Sequence, residues 1–272
     1  MEITPEIHRG GEDGPVPGGP DSVARMRPWL PGEPATDDDL WDRYHTDDRP
    51  APSGRPWLMM NMVASLDGAT AVAGVSGGLG GDGDRAVFGV IRAVPDVIVV
   101  AAGTVRAEDY GPPVTGQEVG ARRQARGQAA VPELAVVTRS ASLDPTSRLF
   151  AGGHRPMVIT TDDAPADHLA VLEPVADIVR AGTGDVDPHE ALARLADRGH
   201  RVALLEGGPT LNGQFVAAGL VDELCLSIAP SLVAGTSKRV SVGPEATAAT
   251  GLRLVHVLEH DDALFVRYRR AT

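Results

Sequence analysis

The sequence has a single cysteine, Cys225, and its eight histidines are scattered. One cysteine cannot form an internal disulfide or a zinc site built from several thiolates. Cys225 lies in the apolar run 224–228, where a small buried hydrophobic side chain is the expected role. The histidines show none of the spacings of a zinc hydrolase, so we predict no metal site.

Positive charge is also scarce, because 25 lysine and arginine residues face 37 acidic ones and the net charge is -12. A surface of this sign repels phosphate backbones and anionic lipids, which argues against nucleic acid or a membrane as the main partner. A local basic pocket can still hold a phosphorylated ligand. No apolar run approaches the roughly 20 residues of a membrane span and no secretion signal is evident, so we expect a cytoplasmic protein.

The first 54 residues differ in composition from the rest of the chain. Residues 10–21 are mostly glycine, proline and acid, which is typical of a tail. Apolar side chains that could dock this segment on a folded body follow it: Trp29, Leu30, Leu40, Trp41 and Tyr44. We therefore predict an N-terminal tail and arm over 1–54 and a folded domain over 55–272.

Apolar runs alternate with helical patterns from residue 57 onward. Strands are predicted at 57–63, 96–101, 134–138, 157–160, 178–179, 202–205 and 224–229, and helices at 84–94, 188–198 and 211–218. Two segments with alternating apolar and polar residues, 252–258 and 264–269, predict a hairpin. The sequence therefore predicts an α/β fold with a mostly parallel sheet, helices on both faces and a C-terminal antiparallel hairpin.

Ligands of such sheets bind beyond the carboxyl ends of the strands, so the residues there are the candidates for a site. Small or polar residues follow four strands: Ser65-Leu66-Asp67-Gly68, Gly103-Thr104, Arg139-Ser140 and Glu206-Gly207-Gly208-Pro209-Thr210. Two glycines before a helix leave free N–H groups at its N-terminus, which is a natural anion site. A tight turn alone also favours glycine.

Two acids, Asp67 and Glu206, directly follow apolar strands. We expect both side chains to be partly buried. Burial raises the pKa of a carboxyl group, which suits it to hold a substrate N–H or to pass a proton. Asp67 has an alternative role as the cap of a turn before Gly68.

Two glycine patterns match motifs of other enzyme classes. Gly78-x-Gly80-x-x-Gly83 matches the dinucleotide fingerprint, but a loop-like segment rather than a strand precedes it. Residues 74–78 match the G-x-S-x-G elbow of esterases without the strand and helix that this elbow requires. We predict neither a Rossmann site nor an esterase, although this glycine loop suits the lining of a cofactor site.

Several motifs occur in one order from about Arg55 to the C-terminus. They are Ala64-Ser65-Leu66-Asp67-Gly68, then Arg85, Arg92 and Asp96, Gly103-Thr104-Val105, Glu206-Gly207-Gly208-Pro209-Thr210-Leu211, Val221-Asp222-Glu223-Leu224 and Ala229-Pro230. In this order they resemble the reductase domain of riboflavin biosynthesis, a pyrimidine reductase family with a dihydrofolate-reductase-like fold. The resemblance implies a three-layer fold of that type, NADPH as cofactor and a homodimer. It also implies reduction of the ribosyl group of 5-amino-6-(5-phosphoribosylamino)uracil to ribityl.

The resemblance also implies roles for individual residues by matched position. Asp67 and Glu206 would be catalytic, and Ser65, Asn61 and Glu108 would bind substrate. The cofactor would contact Gly103, Thr104, Thr138, Arg139, Ser140, Gly207, Gly208, Pro209, Thr210 and Leu211. Among these, Arg139 is the candidate for the 2′-phosphate because of its charge.

The chain departs from the family pattern in three places. A zinc deaminase domain, which often accompanies the reductase, needs H-x-E and P-C-x-x-C, and one cysteine cannot supply it. We therefore predict a stand-alone reductase. Asn61 stands where the family often has lysine, and residues 108–112 replace a D-P-x-L-x-x-R segment. The missing lysine and arginine could be partners of the substrate phosphate or partners in proton transfer. Arg122, Arg123 and Arg126 could replace them or form a solvated helix face.

Two other functions fit the same residues. A dihydrofolate or other pteridine reductase would share the fold, and a carboxylate pairing with the amidine edge of a pterin would favour it. A non-catalytic NADP(H)-binding protein would have lost its substrate groups, which the changes at Asn61 and near Glu108 would explain.

Overall fold

The computed structural model describes residues 36–244 and 248–271. Nine strands form one sheet: β1 (Trp57–Ser65), β2 (Val97–Ala101), β3 (Glu133–Val137), β4 (Met157–Thr160), β5 (Asp177–Arg180), β6 (Val202–Leu205), β7 (Glu223–Ala229), β8 (Leu252–His260) and β9 (Ala263–Arg270). The α-helices of the described residues are α1 (Asp37–His45), α2 (Asp82–Arg92), α3 (Ala102–Ala107), α4 (Gln117–Ala125), α5 (Ala166–Leu172), α6 (Pro188–Asp197) and α7 (Pro209–Ala217).

The strand order across the sheet is β5-β4-β3-β2-β6-β1-β7-β9-β8. Strands β1 to β7 pair in parallel, whereas β9 runs antiparallel to β7 and β8 antiparallel to β9. The predicted mostly parallel sheet with a C-terminal hairpin is thus confirmed. Because the hairpin adds to the β7 side, β1 and β6 lie at the centre, where their carboxyl ends meet.

Side chains alternate between two cores along each central strand. Leu58 of β1 faces the same core as Leu192 of α6 and Phe215 of α7, whereas its neighbour Met59 faces the core that contains Ile91 of α2. Burial on both faces explains why these strands are continuous apolar runs. The sheet is the middle layer of three, as the resemblance implied.

Local signals explain where the main helices begin and end. The Asp187 carboxylate accepts hydrogen bonds from the N–H groups of His189 and Glu190, and α6 follows at Pro188. Gly199, at φ +86°, lies just beyond this helix, where the left-handed conformation favours glycine. None of the helices in 36–244 or 248–271 has both the length and the apolar composition to cross a bilayer.

The described part of the N-terminal arm packs on the sheet domain as a helix. Thr36 and Asp39 form a capping box at the start of α1. Tyr44 is only 1% exposed, and the His45 ring lies between the carbonyl of Val90 in α2 and the guanidinium of Arg126. Tyr44 therefore packs against the core that contains Ile91 of α2. Trp29 and Leu30 lie outside the described residues, and the boundary between 54 and 55 stays a prediction.

A buried ionic network joins the arm to β7 and β9. Arg49 donates two hydrogen bonds to the Glu223 carboxylate, at 3.0 and 2.9 Å, and Arg267 donates a third at 2.8 Å. Glu223 is fully buried. Burial alone would raise the pKa of Glu223, but the charges of Arg49 and Arg267 hold it at about 2. A buried carboxylate is tolerated only with such compensation.

Candidate active site

A cavity of about 1010 Å³ opens at the carboxyl edge of the sheet, around the ends of β1, β2 and β6. The loop after β7 and the glycine-rich loop before α2 complete its walls. A typical ligand pocket holds roughly 300–1000 Å³, so this cavity is at the upper end of that range. Its position is the one that a parallel sheet predicts for a ligand.

The turn between β6 and α7 contains the two glycines of the sequence motif. Gly207 has φ +93°, a conformation that favours glycine. Gly208 is the N-cap of α7 and offers no side-chain cap, so the first-turn N–H groups of Thr210 and Leu211 remain available for an anion. A Cβ at Gly208 would lie 2.9 Å from the Thr104 hydroxyl oxygen. Gly208 thus lets Thr104 pack closely on the turn, and the uncapped N–H groups of the helix suit an anion.

Most of the predicted cofactor residues meet in this cavity. Gly103 and Thr104 line it from the start of α3, opposite Gly208, Pro209, Thr210 and Leu211 of the α7 turn. Open space surrounds the position of a Cβ at Gly103, so a ligand can reach the backbone there. Gly207 belongs to the same turn but does not line the cavity.

The three residues after β3 lie outside the cavity wall. Thr138 is buried and its N–H donates to the carbonyl of Ile159. Arg139 is exposed. Because β3 neighbours β2 in the sheet, this segment adjoins the cofactor side of the cavity. The role of Thr138, Arg139 and Ser140 in binding the cofactor stays a prediction.

Glu206 lies at the end of β6 in a cluster with Arg92 and Tyr110. Arg92 donates from Nε to Oε1 at 2.8 Å and from Nη2 to Oε2 at 3.1 Å. The Tyr110 hydroxyl accepts a hydrogen bond from Arg92 and donates one to Glu206. The Glu206 side chain is 5% exposed, so the predicted burial is confirmed. Glu206 and Tyr110 both line the cavity, which puts a fixed carboxylate on its wall.

The charges of this cluster stabilise one another. Burial alone would lower the pKa of Arg92, but Glu206 and Tyr110 raise it above its ordinary value. Burial, and after it the charge of Glu206, raises the pKa of Tyr110. Tyr110 is therefore a neutral donor and Arg92 a permanent cation. The Arg92 guanidinium also lies 4.8 Å from the centre of the Phe88 ring, a cation–π contact.

Asp67 and Ser65 differ from their predicted roles. Asp67 is exposed rather than partly buried, and it lines no part of the cavity. A hydrogen bond from Ser65, and others from the N–H groups of Ala234 and Val233, lower its pKa to about 2 rather than raising it. The buried Ser65 hydroxyl also accepts from the N–H of Ala69. Both side chains are used within the turn and its neighbouring loop, which supports the alternative role of Asp67.

The other two predicted substrate residues, Asn61 and Glu108, line the cavity. Glu108 also accepts a hydrogen bond from the N–H of Ser76 at 2.8 Å. Ser76 belongs to the glycine-rich loop, and it lines the cavity together with Gly74. This loop follows a turn, whereas a dinucleotide fingerprint follows a strand. Glu108 holds the loop with one oxygen.

None of the three arginines of α4 and its C-cap lines the cavity. Arg123 is fully buried and donates to the carbonyls of Ala93 and Pro95. Arg122 pairs with acids at the surface, and Arg126 contacts His45. They cannot replace the missing substrate cations. The expectation of a solvated face is also wrong for Arg123, which joins loops by binding their carbonyl oxygens.

The cavity residues that were not predicted from the sequence include Tyr110 and Lys238. Tyr110 stands inside the segment 108–112 that departs from the family pattern, so the departure itself was a signal. Lys238 follows β7 and lines the cavity. It is the only lysine of the sequence, since every other basic residue of the 25 is arginine. The use of a single lysine was a signal for this position that the order of the motifs does not contain.

Comparison with known proteins gives one consistent answer. The model of the family described as the RibD C-terminal domain matches residues 56–266. The 2,5-diamino-6-ribosylamino-4(3H)-pyrimidinone 5′-phosphate reductase of Methanothermobacter thermautotrophicus is 35% identical over 191 residues, which are 70% of this chain and 85% of that protein. The riboflavin biosynthesis protein RibD of Mycobacterium tuberculosis is 31% identical over 185 residues, 67% of this chain and 44% of that protein.

A solved structure extends the similarity to the fold. A pyrimidine reductase-like protein from Corynebacterium diphtheriae superposes with a TM-score of 0.73 at 28% identity, over 80% of this chain and 92% of that one.

Proposed function

The chain belongs to the family of the RibD C-terminal domain, and from that premise we propose that it is a nicotinamide-dependent reductase of riboflavin biosynthesis. Its substrate is a phosphorylated 6-ribosylaminopyrimidine, with 5-amino-6-(5-phosphoribosylamino)uracil as the predicted member. The product carries a ribityl group in place of the ribosyl group. One observation carries the proposal: the fixed carboxylate of Glu206 shares a cavity with the glycine turn at the start of α7.

The cavity fits a nicotinamide dinucleotide on one side. The first turn of α7, with Thr210 and Leu211, would hold its phosphates through backbone N–H groups, and Gly103 leaves room for the ligand to contact backbone. A bound reduced nicotinamide supplies the hydride for such a reduction. The protein contributes position and charge placement.

Glu206 acts as a hydrogen-bond acceptor toward the substrate. In the ring-opened sugar a carbon–nitrogen double bond is reduced, so the carbon takes up a hydride and the nitrogen a proton. Arg92 and Tyr110 fix the orientation of the Glu206 carboxylate, which can then align an N–H donor of the ligand. Asn61 and Glu108 line the same cavity and would contact the pyrimidine or the sugar.

We propose NADPH as the preferred cofactor, with the 2′-phosphate bound beside β3. Arg139 is exposed at the end of that strand, next to Thr138 and Ser140. Arginine suits a phosphate because its planar fork can donate two hydrogen bonds. We expect Arg139→Leu to lower the preference for NADPH over NADH while leaving the affinity for NADH nearly unchanged. An unchanged preference would contradict this assignment.

The test of the function is cofactor oxidation by the purified protein with three substrates in parallel. These are the phosphorylated ribosylaminouracil, the 2,5-diaminopyrimidinone phosphate named for the relative, and dihydrofolate. Turnover of either pyrimidine, with ribityl product identified by mass spectrometry, supports the proposal. Turnover of dihydrofolate alone would favour a pteridine reductase. Tight NADPH binding without turnover of any of the three would favour a non-catalytic protein.

We also propose that the protein is a homodimer. Strand β8 ends the sheet as described and exposes three apolar side chains, Leu252, Leu254 and Val255, at 38%, 46% and 36%. An apolar edge strand is suited to pairing with a second copy. We expect a dimer by light scattering and a monomer for Leu254→Lys, with Val114→Lys as a control at a separate exposed apolar residue. A wild-type monomer would contradict the proposal.

A further inference from the structure

The cavity has one basic side chain among its described lining residues, Lys238. This is also the only lysine of the whole sequence. The remaining Lys and Arg positions of the sequence are all arginine, and the single lysine lies in the cavity. A lysine ammonium is a compact point charge with three donors, and it binds phosphate without the planar geometry that arginine requires.

The backbone of Lys238 is held from the β1 side of the cavity. Its carbonyl accepts hydrogen bonds from the N–H and the hydroxyl of Thr70, at 3.1 and 2.8 Å. Next to it, the Ser237 hydroxyl accepts from the N–H of Ala71 at 3.2 Å. Asp67 holds the beginning of the same loop through the N–H group of Ala234. The loop that carries Lys238 is therefore fastened to the turn after β1.

The same segment is fastened to α7 on its other side. Asn212 donates to the carbonyl of Val240 at 2.8 Å, and the N–H of Val242 donates to the carbonyl of Pro209 at 2.9 Å. A Cβ at Gly213 would lie only 2.1 Å from the Val242 carbonyl oxygen, so the two backbones touch. With both sides fixed, the backbone that carries Lys238 is held at the edge of the cavity.

The ammonium group of Lys238 has no acidic partner in the described part of the chain. Its Nζ donates to the Thr210 hydroxyl at 3.2 Å. The acidic lining residues are Asp84, Glu108 and Glu206, and Arg92 already compensates Glu206. A phosphorylated substrate that enters this cavity therefore meets a single uncompensated cation.

We propose that Lys238 binds the 5′-phosphate of the substrate. The inference rests on the proposed function. The loop that carries Lys238 follows β7 and is fastened to the turn after β1, while its ammonium reaches the Thr210 hydroxyl at the edge of the cofactor turn, so the charge lies between the two parts of the cavity. Lys238 thus supplies the positive charge that this chain lacks at position 61 and in the segment 108–112.

The first experiment compares Lys238→Gln with Arg239→Gln, a neighbouring exposed cation outside the cavity lining. We expect Lys238→Gln to raise KM for the phosphorylated pyrimidine at least about tenfold, as loss of a charged hydrogen bond does. KM for the same compound without its phosphate should change less than about twofold, and so should the Kd for NADPH, within ordinary surface effects. Arg239→Gln should resemble the wild type in all three.

Chemical labelling gives a second, independent readout, because Lys238 carries the only side-chain amine of the chain. Acylation by an amine-reactive ester is followed at Lys238 by mass spectrometry of peptides. We expect the phosphorylated pyrimidine to slow the acylation more than NADPH alone does, because the ammonium lies beside the cofactor turn at Thr210 without belonging to it. The unphosphorylated compound should protect much less than the phosphorylated one.

The outcomes separate this inference from the proposed function. If the wild type turns over neither pyrimidine, the proposed function fails and this inference with it. If the wild type turns over the pyrimidine and Lys238→Gln has an unchanged KM, only the inference fails. A Kd for NADPH that rises as much as KM in Lys238→Gln, or protection of Lys238 by NADPH alone as strong as by the phosphorylated pyrimidine, would assign the lysine to the cofactor and overturn the proposal.

Discussion

Replacing Arg92 by methionine removes one partner from the buried ion pair with Glu206 and keeps an apolar stem next to Phe88. The Arg92 and Glu206 side chains are 23% and 5% exposed. Removing one partner of a fully buried pair costs about 3–5 kcal/mol. Because Arg92 retains some contact with water, we expect about 2–3 kcal/mol for this pair. A loss of this size lowers the Tm of a chain of this length by roughly 5–10 °C.

Thermal unfolding of four proteins measures the effect: wild type, Arg92→Met, Glu206→Gln and the double variant. We expect the double variant to lose less stability than the sum of the single variants, because each single change leaves the other group without its partner. Arg85→Met is the matched control on the same helix, since its pair with Asp82 is exposed at 70% and 82%. It should shift stability by no more than about 0.5 kcal/mol. A loss for Arg92→Met as small as that of the control, or strict additivity, would refute the reasoning.

Three further predictions follow from the site and the arm. Gly208→Val should raise the Kd for NADPH at least about tenfold in a fluorescence titration, because its Cβ would lie 2.9 Å from the Thr104 hydroxyl oxygen and distort the phosphate turn; unaltered binding would contradict the turn assignment. Asp67→Ala should raise KM more than it lowers kcat, since it releases the loop that carries Lys238; a loss confined to kcat would restore a role for Asp67 in chemistry. Burial, opposed by one hydrogen bond and assisted by Arg126, lowers the pKa of His45 from 6.5 to about 3. Between pH 6.5 and pH 3 the unfolded chain therefore binds a proton that the folded chain does not, so this contribution to stability is complete above pH 6.5 and falls toward pH 3. His45→Phe should flatten the curve of Tm against pH in that window. An unchanged slope would contradict this.

The sheet could be predicted because its strands are buried on both faces. The run at Met157–Thr160 is the strand β4 that the structure has, and the hairpin follows from simple alternation. Helix α1 was predicted only as a docking arm. Its first turn contains Asp37, Asp38 and Asp39, and its stability comes from a capping box and contacts with distant residues rather than from a regular apolar stripe.

The part of the candidate site that is formed by backbone could be predicted from the sequence. The part that is formed by side chains was less predictable. Gly103 and Gly208 face the cavity because strand ends converge at one edge of the sheet. Position at a strand end does not fix the direction of a side chain. The Asp67 side chain therefore binds the loop after β7 instead of facing the cavity. Tyr110 and Glu206 are 96 residues apart in the chain and meet only through tertiary packing. No spacing rule connects such residues.

The arm changes what counts as the smallest unit that can fold. The family match covers 56–266. A protein cut to that range would lose Arg49 and Arg267 and end inside β9, while Glu223 would stay in the interior. An interior carboxylate without its counterions costs several kcal/mol, a large part of the stability of an ordinary domain. The segment that matches the family is thus shorter than the segment that folds as one cooperative unit. A truncation at the limits of similarity should therefore give an unstable fragment, although every residue of the cavity would still be present.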